Sequence, residues 1–193
     1  MAVKYGRPYW YLVSFFVVGL AQHPMIVGIS LPLYSVRFGA ESSREFGVLD
    51  AVATVMCVSG ILIATISDNQ LRNYVLENAR RRAAGEPVVP VLEQGLWRYS
   101  RHPNYFGEQL WWWSLSLFSI QCGQPWAIAG TAFNSLILYI VTDLTENKML
   151  EEWDAQRADL FRGYKKRTSR CLLLPPKKDK IPKISDDINE KSE

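Results

Sequence analysis

The sequence predicts an all-α, integral membrane helical bundle of about four transmembrane spans, with a re-entrant helical C-terminal segment on the cytoplasmic side. Three observations carry that prediction. Charge is segregated: Tyr9 to Val36 is 28 residues without an Asp, Glu, Lys or Arg, Ala51 to Ile66 is 16 more, and Gln109 to Thr142 is 34. A soluble helix scatters charge along its length to keep one face wet, whereas an uninterrupted apolar run of about 20 residues suits a bilayer crossing. Aromatic residues gather near the ends of these runs, as at Tyr9-Trp10-Tyr11, Trp97, Tyr105, Trp111-Trp112-Trp113 and Trp126, where an interface would place them. The basic residues also fall in a pattern, with six between Ser67 and Asn104 and none from Gln121 to Pro125. Both termini on the cytoplasmic side would put every Lys/Arg-rich segment there.

Taken in order, the first span covers about 9–36, with Pro24 and Pro32 expected to kink or end its helix. The second covers 46–67, with Asp50 near one end. The third run would be about 51 Å long as a single helix, too long for one pass. Gln121-Cys122-Gly123-Gln124-Pro125 interrupts it, which divides it into two short spans, 105–120 and 126–142, joined by a tight hairpin. From Leu144 to Arg167 the apolar positions Leu144, Met149, Leu150, Trp153, Leu160 and Phe161 recur at helical spacing, and Pro175-Pro176 stops that stretch. Residues 1–176 thus form one membrane-embedded unit, and 177–193 are a polar tail expected to be disordered. The N-terminal apolar run is too long for a cleavable signal and is followed by further spans.

Composition excludes several classes. The 193 residues carry 22 Lys+Arg against 19 Asp+Glu, a net charge of +3, which is far from a basic nucleic-acid binder. The run Arg80-Arg81-Arg82 is short and fits anionic lipid headgroups better. Two histidines far apart and three cysteines in no ligand spacing argue against a metal site. No Gly-x-Gly occurs, so a soluble dinucleotide-binding fingerprint is absent.

The densest polar constellation runs from Gly95 to Glu108, at the cytoplasmic mouth of the third span. Pro103 suits a first helical turn, where its missing N–H is no loss. The free amides there, with Arg101 and His102 alongside, would accept an anionic group such as a phosphate. Asn104 and Glu108 then share one helix face, with Tyr105 beside them. Glu108 is the last charge before 34 uncharged residues, and an acid at that depth is a functional candidate. Membrane anchoring by Arg101 and His102 is the plainer reading, but an anchor has no use for Asn104, Gly107 and Glu108 at helical spacing.

Leu96-Trp97-Arg98-Tyr99-Ser100-Arg101-His102-Pro103-Asn104-Tyr105-Phe106-Gly107-Glu108 resembles the signature of the steroid 5-alpha-reductase C-terminal-domain family, in its broad branch of uncharacterised membrane proteins. Asp68-Asn69-Gln70-Leu71-Arg72 is similar to that family's Asp and Arg after the preceding span. Phe161 to Ser169, followed by Pro175, is similar to its Tyr-rich basic stretch. The matching blocks extend from about Gly6 to Pro176. The resemblance implies an endoplasmic-reticulum membrane enzyme that uses NADPH to reduce a carbon–carbon double bond conjugated to a carbonyl, in a lipophilic sterol- or lipid-like substrate. Carried over by position, Asn104 and Glu108 would hydrogen-bond the nicotinamide end. Arg101, His102, Arg72 and Arg167 would be candidates for the phosphates, with Asp68, Tyr105, Glu146 and Tyr164 lining the same cavity.

Asp68 and Arg72 could instead be a structural i,i+4 pair on a helix continuing from the second span. The family's steroid-reducing branch polarises the enone with a Glu and a Tyr from spans ahead of the matched part. No counterpart of that pair is found, so no catalytic residue is assigned. A truncated product, different catalytic groups and an inactive member all stay open. A second resemblance, to membrane isoprenylcysteine and phospholipid methyltransferases, rests on the Arg-His-Pro-x-Tyr-x-Gly block. It would assign the site to S-adenosylmethionine, with Glu146 as the late acid.

Overall fold

The computed structural model describes Leu12, Phe15, Phe16, residues 22–38 and residues 45–177. Most of the first half of the expected first span, and the expected tail beyond Lys177, lie outside these described residues. Among them the regular structure is helical: α1 (Gln22–Phe38), α2 (Val48–Ala83), α3 (Pro103–Gln121), α4 (Ile128–Glu152) and α5 (Ala155–Arg167). Short 3-10 turns at Gly95–Arg98 and Pro125–Ala127 precede α3 and α4. Among the described residues the one β feature is an isolated parallel bridge between Ser100 and Ser169.

Of the two outcomes expected at Pro32, a kink or an end, the helix does not end there; α1 runs through it. An internal proline removes the hydrogen bond to the carbonyl four residues earlier and crowds it. That carbonyl belongs to Gly28, which faces Gly130 of α4 so closely that a Cβ on Gly130 would lie 1.9 Å from the Gly28 oxygen. That carbonyl thus lies where two glycines meet, at the contact of α1 with α4.

Asp50 caps the start of α2, with its carboxylate accepting the Gly47 N–H at 2.8 Å. The same side chain, 1% exposed, accepts from Gln121 Nε2 at 2.9 Å, so the start of α2 is tied to the end of α3. The two helices lie antiparallel and close. A Cβ on Gly60 would meet the Gly107 carbonyl at 2.6 Å and the Trp111 amide at 2.8 Å.

Past the expected end of the second span at Ser67, α2 continues to Ala83, a length of about 54 Å at 1.5 Å per residue. Its polar half is supported along its own surface by Glu77, which pairs with Arg80 and Arg81 at 2.9 Å. Arg80 also reaches Glu86 at 3.0 Å. Asn78 exchanges two 2.9 Å hydrogen bonds with the Val89 backbone. Tyr74 donates to the Val89 and Pro90 carbonyls at 2.9 and 3.1 Å. The returning segment is thereby laced to α2.

The hairpin turn falls at Cys122–Gln124, between α3 and α4. The expected amphipathic stretch 144–167 is not one helix. α4 runs unbroken past Thr142 to Glu152, and α5 starts afresh after Asp154, whose side chain accepts the Arg157 N–H at 2.9 Å. This is an ordinary N-cap. Two segments, Val48–Ala83 and Pro125–Glu152, are long and apolar enough to cross a membrane, and Ile26–Phe38 is a shorter apolar helix. Such helices in an all-helical chain fit a membrane-associated bundle.

Candidate functional site

The polar end of the bundle is organised by one carboxylate. Glu146, fully buried near the end of α4, accepts from Arg101 Nε at 2.8 Å and Arg101 Nη2 at 3.2 Å, a two-pronged pair. His102 Nε2 lies 3.1 Å from Oε1, and Lys165 Nζ lies 2.9 Å from Oε2. A hydrogen bond to that carboxylate requires the proton on the Nε2 side of the His102 ring. The remaining nitrogen of Arg101, Nη1, donates to the carbonyls of Lys165 at 3.1 Å and Thr168 at 2.6 Å. The anion that Arg101 and His102 face is thus supplied by the chain itself.

Backbone contacts fix this cluster from the other side. Arg101 N donates to Ser169 O at 2.9 Å, and Leu174 N to Tyr99 O at 3.1 Å. The fully buried Ser100 donates through Oγ to Cys171 O at 2.7 Å. The Tyr164 hydroxyl, on a side chain 2% exposed, bonds the carbonyls of Trp97 and Ser100. Burial, and secondly the nearby Glu93 carboxylate, push its phenol pKa well up. As expected, Pro103 begins α3. His102 stacks flat on Tyr105, with ring centroids 5.2 Å apart and planes 8° from parallel.

Two adjoining cavities share Asn104 and Tyr105 as a common wall. The first, about 310 Å³, is lined by Arg101, His102 and Tyr164 together with Trp97, Trp153 and Arg157. The second, about 300 Å³, lies against α2 and is lined by Asp68 and Glu108 beside Gly60 and Trp111. Asp68 is not paired with Arg72; it accepts from Asn104 Nδ2 at 3.0 Å. Asn104 Oδ1 is buried with no hydrogen-bond partner. Glu108 is exposed and accepts from Trp112 Nε1 at 3.2 Å.

Of the ten candidates, eight come together around these cavities or the carboxylate behind them. Arg72 is exposed on α2 and lines neither cavity. Arg167 contacts Glu93 and lines a separate cavity with Arg98 and Lys177. Three contributors escaped sequence reasoning. Lys165 completes the charge cluster. Arg157 lies with Cζ 3.7 Å from the Trp153 ring centre and donates through Nε to Pro90 O at 2.8 Å. The Trp97 indole donates to Ser67 O at 3.1 Å. The Trp153-x-x-x-Arg157 spacing matches an i,i+4 pair, but Trp153 lies in the break between α4 and α5, so their contact is not that of neighbours on one helix.

Among the described residues, helices of bilayer length with a small-molecule-sized site at one end of them fit a membrane-associated protein with a built pocket. The chain belongs to the family described as protein of unknown function (DUF1295), which matches residues 1–168. An uncharacterized protein of Schizosaccharomyces pombe is 24% identical over 188 residues, covering 87% of this chain and 52% of that protein. 3-Oxo-5-alpha-steroid 4-dehydrogenase 1 of Rattus norvegicus is 31% identical over 116 residues, covering 60% of this chain and 37% of that protein. The chain thus spans about half the length, or less, of these curated relatives. No solved structure matches it. The family and the rat relative together place it in the steroid 5-alpha-reductase-like branch.

Proposed function

We propose that this chain is a membrane reductase that uses NADPH to reduce a carbon–carbon double bond conjugated to a carbonyl in a lipophilic, sterol- or lipid-like substrate. It would sit in the endoplasmic reticulum membrane through four spans, with both termini on the cytoplasmic side. The class of chemistry is supported by the named activity of the rat relative. The cofactor reading rests on Asn104. Asp68 holds its Nδ2, because the opposite amide orientation would set an oxygen against a carboxylate. Oδ1 is left buried and asking for an N–H donor, and such a group is costly to leave unmet. A nicotinamide carboxamide offers that donor, so the residues present fit the group.

When bound, NADPH would supply the hydride for the β-carbon of the conjugated bond. Asn104 binds and Asp68 orients it. The stacked His102 and Tyr105 give a flat wall, while Trp97 and Phe161 help to exclude water. Arg101 is committed to Glu146 and two carbonyls and Arg167 to Glu93, so the phosphates fall to Arg157 on the cavity wall and to Arg72 outside it.

The test is a titration of NADPH into the detergent-purified chain, read as energy transfer from tryptophan to reduced nicotinamide. Saturable transfer is expected, weakened about tenfold or more by Asn104→Ala, the loss of roughly one well-formed buried hydrogen bond. Asp68→Ala should give a smaller weakening, since it frees the amide to turn. Absence of saturable transfer in folded protein, or its displacement by S-adenosylmethionine, would overturn the reading.

A further inference from the structure

The cavity that Arg98, Arg167 and Lys177 line together with Glu93 measures about 730 Å³. Arg167 contacts Glu93, so the carboxylate on this wall already has its cation. Arg98 and Lys177 are exposed, and neither has a carboxylate partner among the described residues. Three cations against one carboxylate leave the wall with a surplus of positive charge, which a phosphate would answer.

The level of this cavity along the bundle is fixed by α2. The 3-10 turn that carries Arg98 docks on that helix, with Trp97 Nε1 donating to Ser67 O at 3.1 Å and Leu96 N to Gln70 Oε1 at 3.0 Å. Ser67 is where the uncharged stretch of the second span gives way to Asp68, the level at which lipid headgroups would begin. The run Arg80-Arg81-Arg82, which the sequence offered to headgroups, starts about 20 Å farther along α2 at 1.5 Å per residue. Arg80 and Arg81 are also committed there, to Glu77 and Glu86.

Beside Arg98 the surface turns apolar. Leu174 N donates to Tyr99 O at 3.1 Å, and Tyr99, Leu172 and Leu174 are 41%, 55% and 49% exposed. Leu172 shares a cavity wall with Leu138 and Tyr139 of α4, which belongs to a bilayer-length segment. The chain from Leu172 to Lys177 therefore passes from the flank of the membrane helices to the basic cavity, apolar at one end and cationic at the other. Aromatic and basic residues combine in this way at a membrane interface.

We propose that this ledge binds an anionic phospholipid, its phosphate held by Arg98 and Lys177 and its acyl chains lying against Tyr99, Leu172 and Leu174. A zwitterionic headgroup fits less well, because its added cation would face Arg98 and Lys177 while Glu93 is engaged by Arg167. Nothing in the site depends on the nicotinamide reading.

The test uses the full chain in detergent and native mass spectrometry, with phosphatidylglycerol and phosphatidylcholine of identical acyl chains as probes. Phosphatidylglycerol is expected to be retained at lower lipid concentration than phosphatidylcholine. Arg98→Gln and Lys177→Gln should each weaken its binding about fivefold, and together about thirtyfold. Leu174→Ser should weaken it several-fold through lost acyl contact, whereas Arg82→Gln at the far end of α2 should leave it unchanged. Equal retention of the two lipids, undiminished binding in the double variant or in Leu174→Ser, or as large a loss in Arg82→Gln would overturn the proposal. So would displacement of the lipid by inorganic pyrophosphate at constant ionic strength, which would assign the cavity to a soluble phosphate.

Discussion

Replacing Glu146 with Gln leaves the shape of the polar cluster nearly intact and removes the charge that holds it together. In the wild type, Arg101 (7% exposed), His102 (12%) and Lys165 (25%) all face a carboxylate that is 0% exposed. A neutral amide cannot answer three cationic or polar donors, and its own NH2 would point at one of them. Removing one partner of a buried ion pair typically destabilises by about 3–5 kcal/mol, because the other charge is left without compensation. For a chain of this size that corresponds to a fall in melting temperature of about 6–20 °C, at about 2–4 °C per kcal/mol. The assay is thermal unfolding in one detergent, with Glu152→Gln as control. Glu152 lies on the same helix, 64% exposed and 3.6 Å from Lys148, so its neutralisation should change stability by less than about 1 kcal/mol. The break should also show locally. Arg101 holds the carbonyls of Lys165 and Thr168, and proteolysis just beyond Arg167 should accelerate in Glu146→Gln and not in the control. A Glu146→Gln protein as stable as Glu152→Gln would refute the central role assigned to this carboxylate.

The raised pKa of Tyr164 gives a pH dependence with a definite sign. The folded state favours the neutral phenol, so its stabilising contribution is complete below the unfolded value of about 10 and is lost as pH rises above it. Stability measured from pH 8 to 11 should fall at the alkaline end in wild type, and Tyr164→Phe should start lower and lose that component of the fall. Gly60→Ala should push α2 and α3 apart, since the added Cβ meets backbone atoms of Gly107 and Trp111. We expect a loss of about 1–3 kcal/mol in thermal unfolding, and a wild-type melting temperature would contradict the close approach.

The helices were legible where apolar runs were long, because burial in lipid leaves a compositional mark that needs no partner. Pro103 and the turn at Cys122–Gln124 were legible for the same local reason. The polar half of α2 was legible only at its start, where Asp68 and Arg72 suggested a helix continuing from the second span, since a helix exposed on several sides has no apolar period; Glu77 with Arg80 and Arg81 at i+3 and i+4 was the trace beyond. Asp154 was readable as a cap, but the apolar spacing across Trp153 concealed the break. The grouping around Glu146 depends on residues separated by 44, 45 and 19 positions, and no spacing rule reaches that far. Asn104 and Glu108 were placed together on one face by helical geometry. Which of them would be left with an unmet acceptor was decided by Asp68, a neighbour from another helix.

The contacts that close the polar cluster also set the order in which it is made. Synthesis delivers Arg101 and His102 first, Glu146 after a complete helical hairpin, and Lys165, Thr168 and Ser169 last. The apolar helices are already made when the final pieces emerge, so the pocket cannot be completed before they are. A nascent chain interrupted after α4 would keep its long apolar helices and the carboxylate, yet lack Lys165, the carbonyls that seat Arg101 and the strand-like partner of Ser100. The pocket is therefore the last part of the described chain to mature, and a ribosome pausing late in the message would leave it unfinished.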